Sequence, residues 1–206
     1  MVPMSTGNTK KLTTMMKDFG VTAIACTPSY LLHIVETLEE EGTISEIKLK
    51  AAICGAEPWT DKMRKQIEDK MNISAHDIYG LSEIMGPGVA CDCKHHTGLH
   101  VYEDHFLPEI ISPETLQGVT TGETGELVFT TLTKEGIPLL RYRTRDLTSI
   151  DYNPCICGRT LARISRFKGR SDDMLIIRGV NVFPSQIEAA LLEVGEVKPH
   201  YIMIVD

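Results

Sequence analysis

No stretch of these 206 residues reaches the length of an apolar run that crosses a bilayer as a helix, so a helical membrane span is excluded. The opening Met1-Val-Pro-Met-Ser-Thr-Gly-Asn8 has neither the basic nor the apolar segment of a signal peptide, and a cytoplasmic location is the expectation. There is no basic block. Lys and Arg number 21 against 28 Asp and Glu, a formal net charge of -7, which argues against nucleic acid or an anionic membrane as partner. Disulfide spacing is missing too. Cys26 and Cys54 sit in apolar strand-like runs, where a thiol acts as a small hydrophobe, and the pairs Cys91/Cys93 and Cys155/Cys157 are too close for relaxed disulfides. Reduced thiols or a metal are the remaining readings.

What is present is enough for a packed core, since 42% of the residues are hydrophobic. Apolar runs over 21–26, 49–54 and 75–79 alternate with helical spacing, carried by Leu31, Leu32, Val35 and Leu38 and then by Met63, Ile67 and Met71. This is an α/β pattern and predicts a parallel sheet covered on both faces. Beyond Glu83 the pattern turns to strands and bends, with Thr121-Gly-Glu123 and Glu135-Gly136 as turn signals. A third unit follows Arg166-Phe-Lys-Gly-Arg170. The expected organisation is therefore 1–83 as α/β, 84–168 as a β-rich lobe and 169–206 as the start of a small α+β domain. A unit of that size ending on a strand buries little core by itself, so the chain reads as a fragment cut at both ends.

Four segments point to chemistry. Ile78-Tyr-Gly-Leu-Ser-Glu83 closes a strand and presents a hydroxyl and a carboxylate where open α/β sheets bind ligands. Ser82 suits a phosphate oxygen and Glu83 a Mg²⁺ ion, although a capped strand-to-helix turn would look the same. Ile53-Cys-Gly-Ala-Glu-Pro-Trp59 ends the preceding strand with a glycine that lets a flat ring such as adenine approach. Leu140-Arg-Tyr-Arg-Thr-Arg-Asp146 places a carboxylate past a strand-like run, suited to ribose hydroxyls; a solvated ion-pair strand is the plain alternative. The run from Gly169 to Glu188 sets Arg170, Asp172 and Asp173 beside a short strand and reads as a hinge. It passes a turn at Arg178-Gly179 to Pro184 and Ser185, which open a helix with Ile187, Ala190, Leu191 and Val194 at helical spacing.

The ordered set Cys54 to Trp59, Tyr79 to Glu83, Pro138 to Asp146 and Gly169 to Glu188 resembles the phenylacetate-CoA ligase family of the adenylate-forming superfamily over nearly the whole chain. That resemblance implies an aryl carboxylate, ATP and CoA as partners. The acid forms an acyl-adenylate with release of pyrophosphate, and the CoA thiol then displaces AMP. It further implies that Gly55, Ala56 and Glu57 line the adenine site and that Tyr79 and Gly80 stand between adenine and the aryl pocket. Ser82 and Glu83 would meet phosphate and Mg²⁺, Asp146 the ribose, and Arg170 the nucleotide. Asp172 would be the pivot of the small domain, and Gly179 would border the pantetheine channel. A homodimer of the full-length protein is the corresponding expectation.

The sequence departs from the family in lacking its upstream phosphate loop and its C-terminal lysine. Ser5-Thr-Gly-Asn-Thr-Lys10 copies the loop's composition but not its strand-loop-helix spacing. Stabilisation of charge on the transferred group dominates such reactions, so the chain alone is expected to bind nucleotide weakly and not turn over. The alternative is a non-catalytic binding or interaction module that keeps the fold.

Between the Cys91/Cys93 and Cys155/Cys157 pairs lie His95, His96, His100 and His105. Four soft ligands from distant segments are the content of a structural zinc site, and Cys93, His100, Cys155 and Cys157 are the preferred set, with Cys91 as alternate.

Overall fold

The computed structural model describes residues 8–173 and, beyond them, 175–177, 180–182, 184, 187, 190, 191 and 194. The N-terminal part alternates helix and strand: α1 (Thr9–Asp18), β1 (Ala23–Cys26), α2 (Pro28–Glu40), β2 (Ala51–Cys54), α3 (Asp61–Met71) and β3 (Ser74–Leu81). Both longer helices start where the chemistry favours it. Thr27 caps α2 by accepting from the Tyr30 N–H, with Pro28 in the first turn, and Thr60 accepts from the Met63 N–H at the head of α3. Asn72, in the left-handed region at φ 53°, ends α3. On α2 the fully buried positions are Leu31, Ile34, Val35 and Leu38, so Ile34 joins the core while Leu32 only packs at its edge.

β1, β2 and β3 pair in parallel, Ala23 opposite Ala51 and Ala51 opposite Ser74. Among the described residues the expected cover on both faces is not found. Along β2, Ala52 and Cys54 are buried while Ile53 is 39% exposed, so the helices cover one face and the other opens onto a cavity.

β3 is the pivot of the topology. Its first half pairs with β2 and its second half pairs antiparallel with β4 (Gly86–Cys91), with a register shift at Tyr79/Gly80. The strand thus runs through Gly80 to Leu81, and the turn falls at residues 82–85 before an antiparallel strand; no helix follows. The sheet continues through β5 (Leu99–Val101), β10 (Arg163–Ile164) and β9 (Ile150–Asp151), giving seven strands in the order β1-β2-β3-β4-β5-β10-β9 across position 83.

A second sheet holds β11 (Gly169–Arg170), β8 (Tyr142–Thr148), β7 (Gly125–Thr131) and β6 (Phe106–Ile111), in that spatial order. β12 (Leu175–Ile177) and β13 (Val180–Val182) form a hairpin, and Pro184, Ile187, Ala190, Leu191 and Val194 are helical, as the spacing predicts. Two cores result. One gathers α1 to α3 and β1 to β3 around Leu31, Ile67 and Trp59; the other gathers Phe106, Phe129, Leu127 and Ile164 between the sheets.

Candidate nucleotide site and metal cluster

Two adjoining cavities lie at the C-terminal ends of β1 to β3. The first, about 380 Å³, is lined by Ala25, Thr27, Ile53, Gly55, Ala56, Ile78, Gly80 and Ser82, among others. The second, about 440 Å³, takes Ala56, Glu57, Tyr79 and Gly80 from the α/β side and Asp146 and Arg170 from the β-rich side. Both volumes are within the roughly 300–1,000 Å³ of small-molecule sites. Gly80 serves this closeness: a Cβ there would stand 2.1 Å from the Gly86 carbonyl oxygen.

Asp146 is half-buried in the wall of the second cavity. It accepts a 2.6 Å hydrogen bond from Tyr79 Oη and faces Arg170 Nη1 at 3.4 Å. Burial pushes its carboxyl above the ordinary range, against the opposing pull of Tyr79 and Arg170. The Tyr79 ring packs on Phe167 at 4.4 Å between centroids, and burial, with the Asp146 charge, raises its phenol. Arg170 also grips Asp172 through two 2.9 Å bonds, Nε to Oδ1 and Nη2 to Oδ2. The ribose candidate and the hinge candidate therefore share one guanidinium.

Other expected residues are placed differently from one another. Gly55 and Ala56 form the turn after β2, with Ala56 at φ 69°. Glu57 lines the second cavity, but its carboxylate accepts the Ser29 N–H at 2.6 Å and so braces α2. Ser82 and Glu83 are exposed on the β3–β4 turn, where the Glu83 carbonyl accepts from Lys134. Gly179 lies outside the described residues.

Asp77, Trp59 and Arg166 also line the second cavity, and sequence reading missed them. The signal was a carboxylate inside the apolar run of β3. Burial lifts the Asp77 carboxyl above its usual range, opposed by Trp59 and Arg64.

Cys93, His100, Cys155 and Cys157 converge, their ligand atoms all within 4.8 Å of one another. Cys93 Sγ is 3.9 Å from Cys155 Sγ, and Cys157 Sγ is 3.7 Å from His100 Nε2. A tetrahedral zinc with Zn–S of about 2.3 Å and Zn–N of about 2.0–2.1 Å sets its ligands about 3.8 and 3.6 Å apart, so the donor set fits that ion. The turn that brings the second pair together closes with a Gly158 N–H to Cys155 carbonyl bond of 2.8 Å, Gly158 at φ 91°. The backbone N–H of Cys157 and the Thr97 hydroxyl hold the Cys155 thiol down to about 6, and burial followed by Arg159 and Arg163 lowers His100, both directions that favour the metal-binding form. Cys91 is not in this set.

Residues 1–132 match the family model described as AMP-binding enzyme, and residues 179–206 match that of the AMP-binding enzyme C-terminal domain. The chain belongs to the AMP-binding enzyme family. It is 50% identical over 206 residues to the phenylacetate-coenzyme A ligase of Thermus thermophilus, covering 99% of this chain and 46% of that one. To the enzyme of the same name from Escherichia coli it is 51% identical over 203 residues, covering 97% and 46%. The chain spans about half the length of the curated relatives it matches. Among solved structures, 2-hydroxyisobutyryl-CoA ligase in the postadenylation state with 2-HIB-AMP superposes at a TM-score of 0.83 and 28% identity, over 92% of this chain and 41% of that one. The adenylate-forming fold expected from the sequence is thus the fold found. No helix among the described residues is long and apolar enough to cross a membrane.

Proposed function

We propose that this chain is the nucleotide-binding and hinge-bearing part of an AMP-forming aryl-CoA ligase. One observation carries the reading: a single cavity joins the ends of β2 and β3 to Asp146 and Arg170, with the half-buried Asp146 carboxylate hydrogen-bonded to Tyr79 in its wall. The identity of about 50% to phenylacetate-coenzyme A ligases supports an aryl acid such as phenylacetate as the substrate.

In this reading adenine lies against Gly55, Ala56 and Tyr79, near Glu57, with Asp77 offering an acceptor, and Asp146 takes the ribose hydroxyls. The acid occupies the neighbouring cavity past Gly80. Its carboxylate attacks the α-phosphorus of ATP, pyrophosphate leaves, and Ser82 meets the phosphates; Glu83 would hold a Mg²⁺ ion, which would offset their charge. Rotation about Asp172 then brings the Gly179 turn to the site, where the CoA thiol attacks the acyl carbonyl and AMP departs. Cys93, His100, Cys155 and Cys157 would hold a zinc ion, and four protein ligands would give it a structural role.

The nucleotide assignment is tested by calorimetric titration with AMP and 2′,3′-dideoxy-AMP. Wild type prefers AMP and Asp146→Ala loses the preference; equal preference in both proteins overturns it. Aryl-CoA formation from a panel of acids, by protein extended to the relatives' full length, tests the reaction; failure with every aryl acid overturns the substrate class. Metal analysis of protein purified without chelator tests the zinc, and less than about half an equivalent counts against it.

A further inference from the structure

A second cluster lies on the α3 side of β4, outside both cavities. His76 comes from β3, Asp92 directly follows β4, and His96 stands in the next loop at φ 51°; one ligand atom from each falls within 4.8 Å of the others. Asp92 Oδ1 is 3.0 Å from His76 Nδ1, and Asp92 Oδ2 is 2.6 Å from His96 Nδ1. The Asp92 side chain is 3% exposed, whereas the imidazoles are 25% and 26% exposed, so the cluster has a buried base and a solvent-facing rim.

We propose that His76, Asp92 and His96 form a second metal site, for a borderline divalent transition ion such as Co²⁺, Ni²⁺ or Zn²⁺. The first argument is redundancy. Asp92 is already neutralised by Arg64 Nη1 at 3.0 Å, so a carboxylate seeking a partner does not require two further rings. The second is spacing: metal–ligand bonds of about 2.0–2.1 Å place neighbouring nitrogen and oxygen ligands about 3.0–3.4 Å apart; the His76 pair at 3.0 Å already matches, whereas the His96 pair, a 2.6 Å hydrogen bond, must give up that bond and widen to admit an ion. The third is the outer shell. Glu68, fixed by the Ala75 N–H at 2.8 Å, faces His96 Nε2 at 4.0 Å. Coordination through Nδ1 leaves the ring proton on Nε2, on the side facing that carboxylate, which at 4.0 Å acts through its charge and not through a hydrogen bond.

Two imidazoles and one carboxylate select borderline ions over Mg²⁺ and Ca²⁺, which take oxygen. Three protein ligands leave positions for water, and the Arg64 charge beside Asp92 lowers affinity. The site is therefore exchangeable and weaker than the thiolate cluster, and it stands whether or not that cluster holds zinc.

Cobalt titration separates the two, because a thiolate-bound Co²⁺ has an intense near-ultraviolet charge-transfer band and a nitrogen–oxygen site has only weak visible bands. The expected result is a band-free second equivalent in wild type that disappears in His76→Gln/His96→Gln, while the thiolate band stays. Retention of that band shows that the variant has folded; if wild type lacks it too, unchanged far-ultraviolet circular dichroism serves instead. A second equivalent that survives in the double variant, or no band-free binding in wild type, overturns the proposal and leaves a hydrogen-bonded charge cluster only.

Discussion

Tyr79 donates a 2.6 Å hydrogen bond to Asp146 across 67 residues of sequence, tying the end of β3 to β8. A hydrogen bond to a charged group contributes about 1.5–3 kcal/mol, and Asp146 has few other donors, so Tyr79→Phe is expected to lower stability by about 2 kcal/mol. Urea denaturation measures it, and a loss under about 0.5 kcal/mol contradicts the role given to the bond.

Replacing Asp146 itself has the opposite sign. Burial, the main cause, raises the folded pKa above the unfolded one, so ionisation costs the fold stability once pH passes the unfolded value. Asp146→Asn is therefore expected to stabilise the nucleotide-free protein at neutral pH while weakening AMP binding. In wild type AMP affinity falls as pH drops through this raised value, and in the variant it is flat. A variant that melts lower than wild type at pH 7 refutes the burial argument.

Glu126 is a fully inaccessible carboxylate, held bidentately by Arg143 at 2.9 and 2.6 Å. Burial raises its pKa, yet Arg143 and Arg145 outweigh burial and the net shift is downward. Breaking a buried pair costs about 3–5 kcal/mol, and because Arg143 is 30% exposed the lower end applies, about 3 kcal/mol for Glu126→Gln. With a depressed folded pKa the contribution is complete above the unfolded value and lost as pH falls through the folded one. The gap between wild type and variant should close in acid; a gap independent of pH between 3 and 7 argues against this pair as its source.

Much of this was legible beforehand because it is local. Strands and helices of the α/β part follow from periodicity; the cysteine and histidine set, though its members reach from Cys93 to Cys157, was legible from ligand chemistry and from the close pairing within each segment. What escaped depends on distant partners. β3 changes neighbour halfway along its length, so the strand runs on through Gly80 to Leu81 and its turn lies at 82–85. The Glu57 carboxylate braces Ser29, and no local pattern carries that bond. Arg141 and Arg145 take positive φ values of 48° and 69°, so the arginines around β8 do not alternate as a plain strand predicts.

Gly80 offers a sharper test of the β3–β4 geometry. A Cβ would meet the Gly86 carbonyl oxygen at 2.1 Å and Pro87 Cα at 2.9 Å, both backbone atoms with little room to move. Gly80→Ala must part the strands beside both cavities, at an expected cost of about 1–3 kcal/mol in overpacking. AMP affinity should fall with it. Unchanged melting and unchanged affinity show that the strands part without cost.

A metal held by the cysteine cluster would close a long loop, since Cys93 and Cys155 are 62 residues apart. Cross-linking a loop of that length restricts the unfolded chain by about 4 kcal/mol on the chain-entropy account. For a protein of this size about 4 kcal/mol corresponds to about 8–16 °C in Tm. Treatment with a strong chelator is therefore expected to lower Tm by about 10 °C, reversed by zinc but not by magnesium, whose preference is for oxygen ligands. Cys155→Ser should reproduce the loss and abolish the chelator's effect. Ellman titration of native protein gives an independent reading: metal-held thiolates react slowly until chelator is added. Prompt reaction of all six cysteines, with Tm indifferent to chelator, rules out the metal clip.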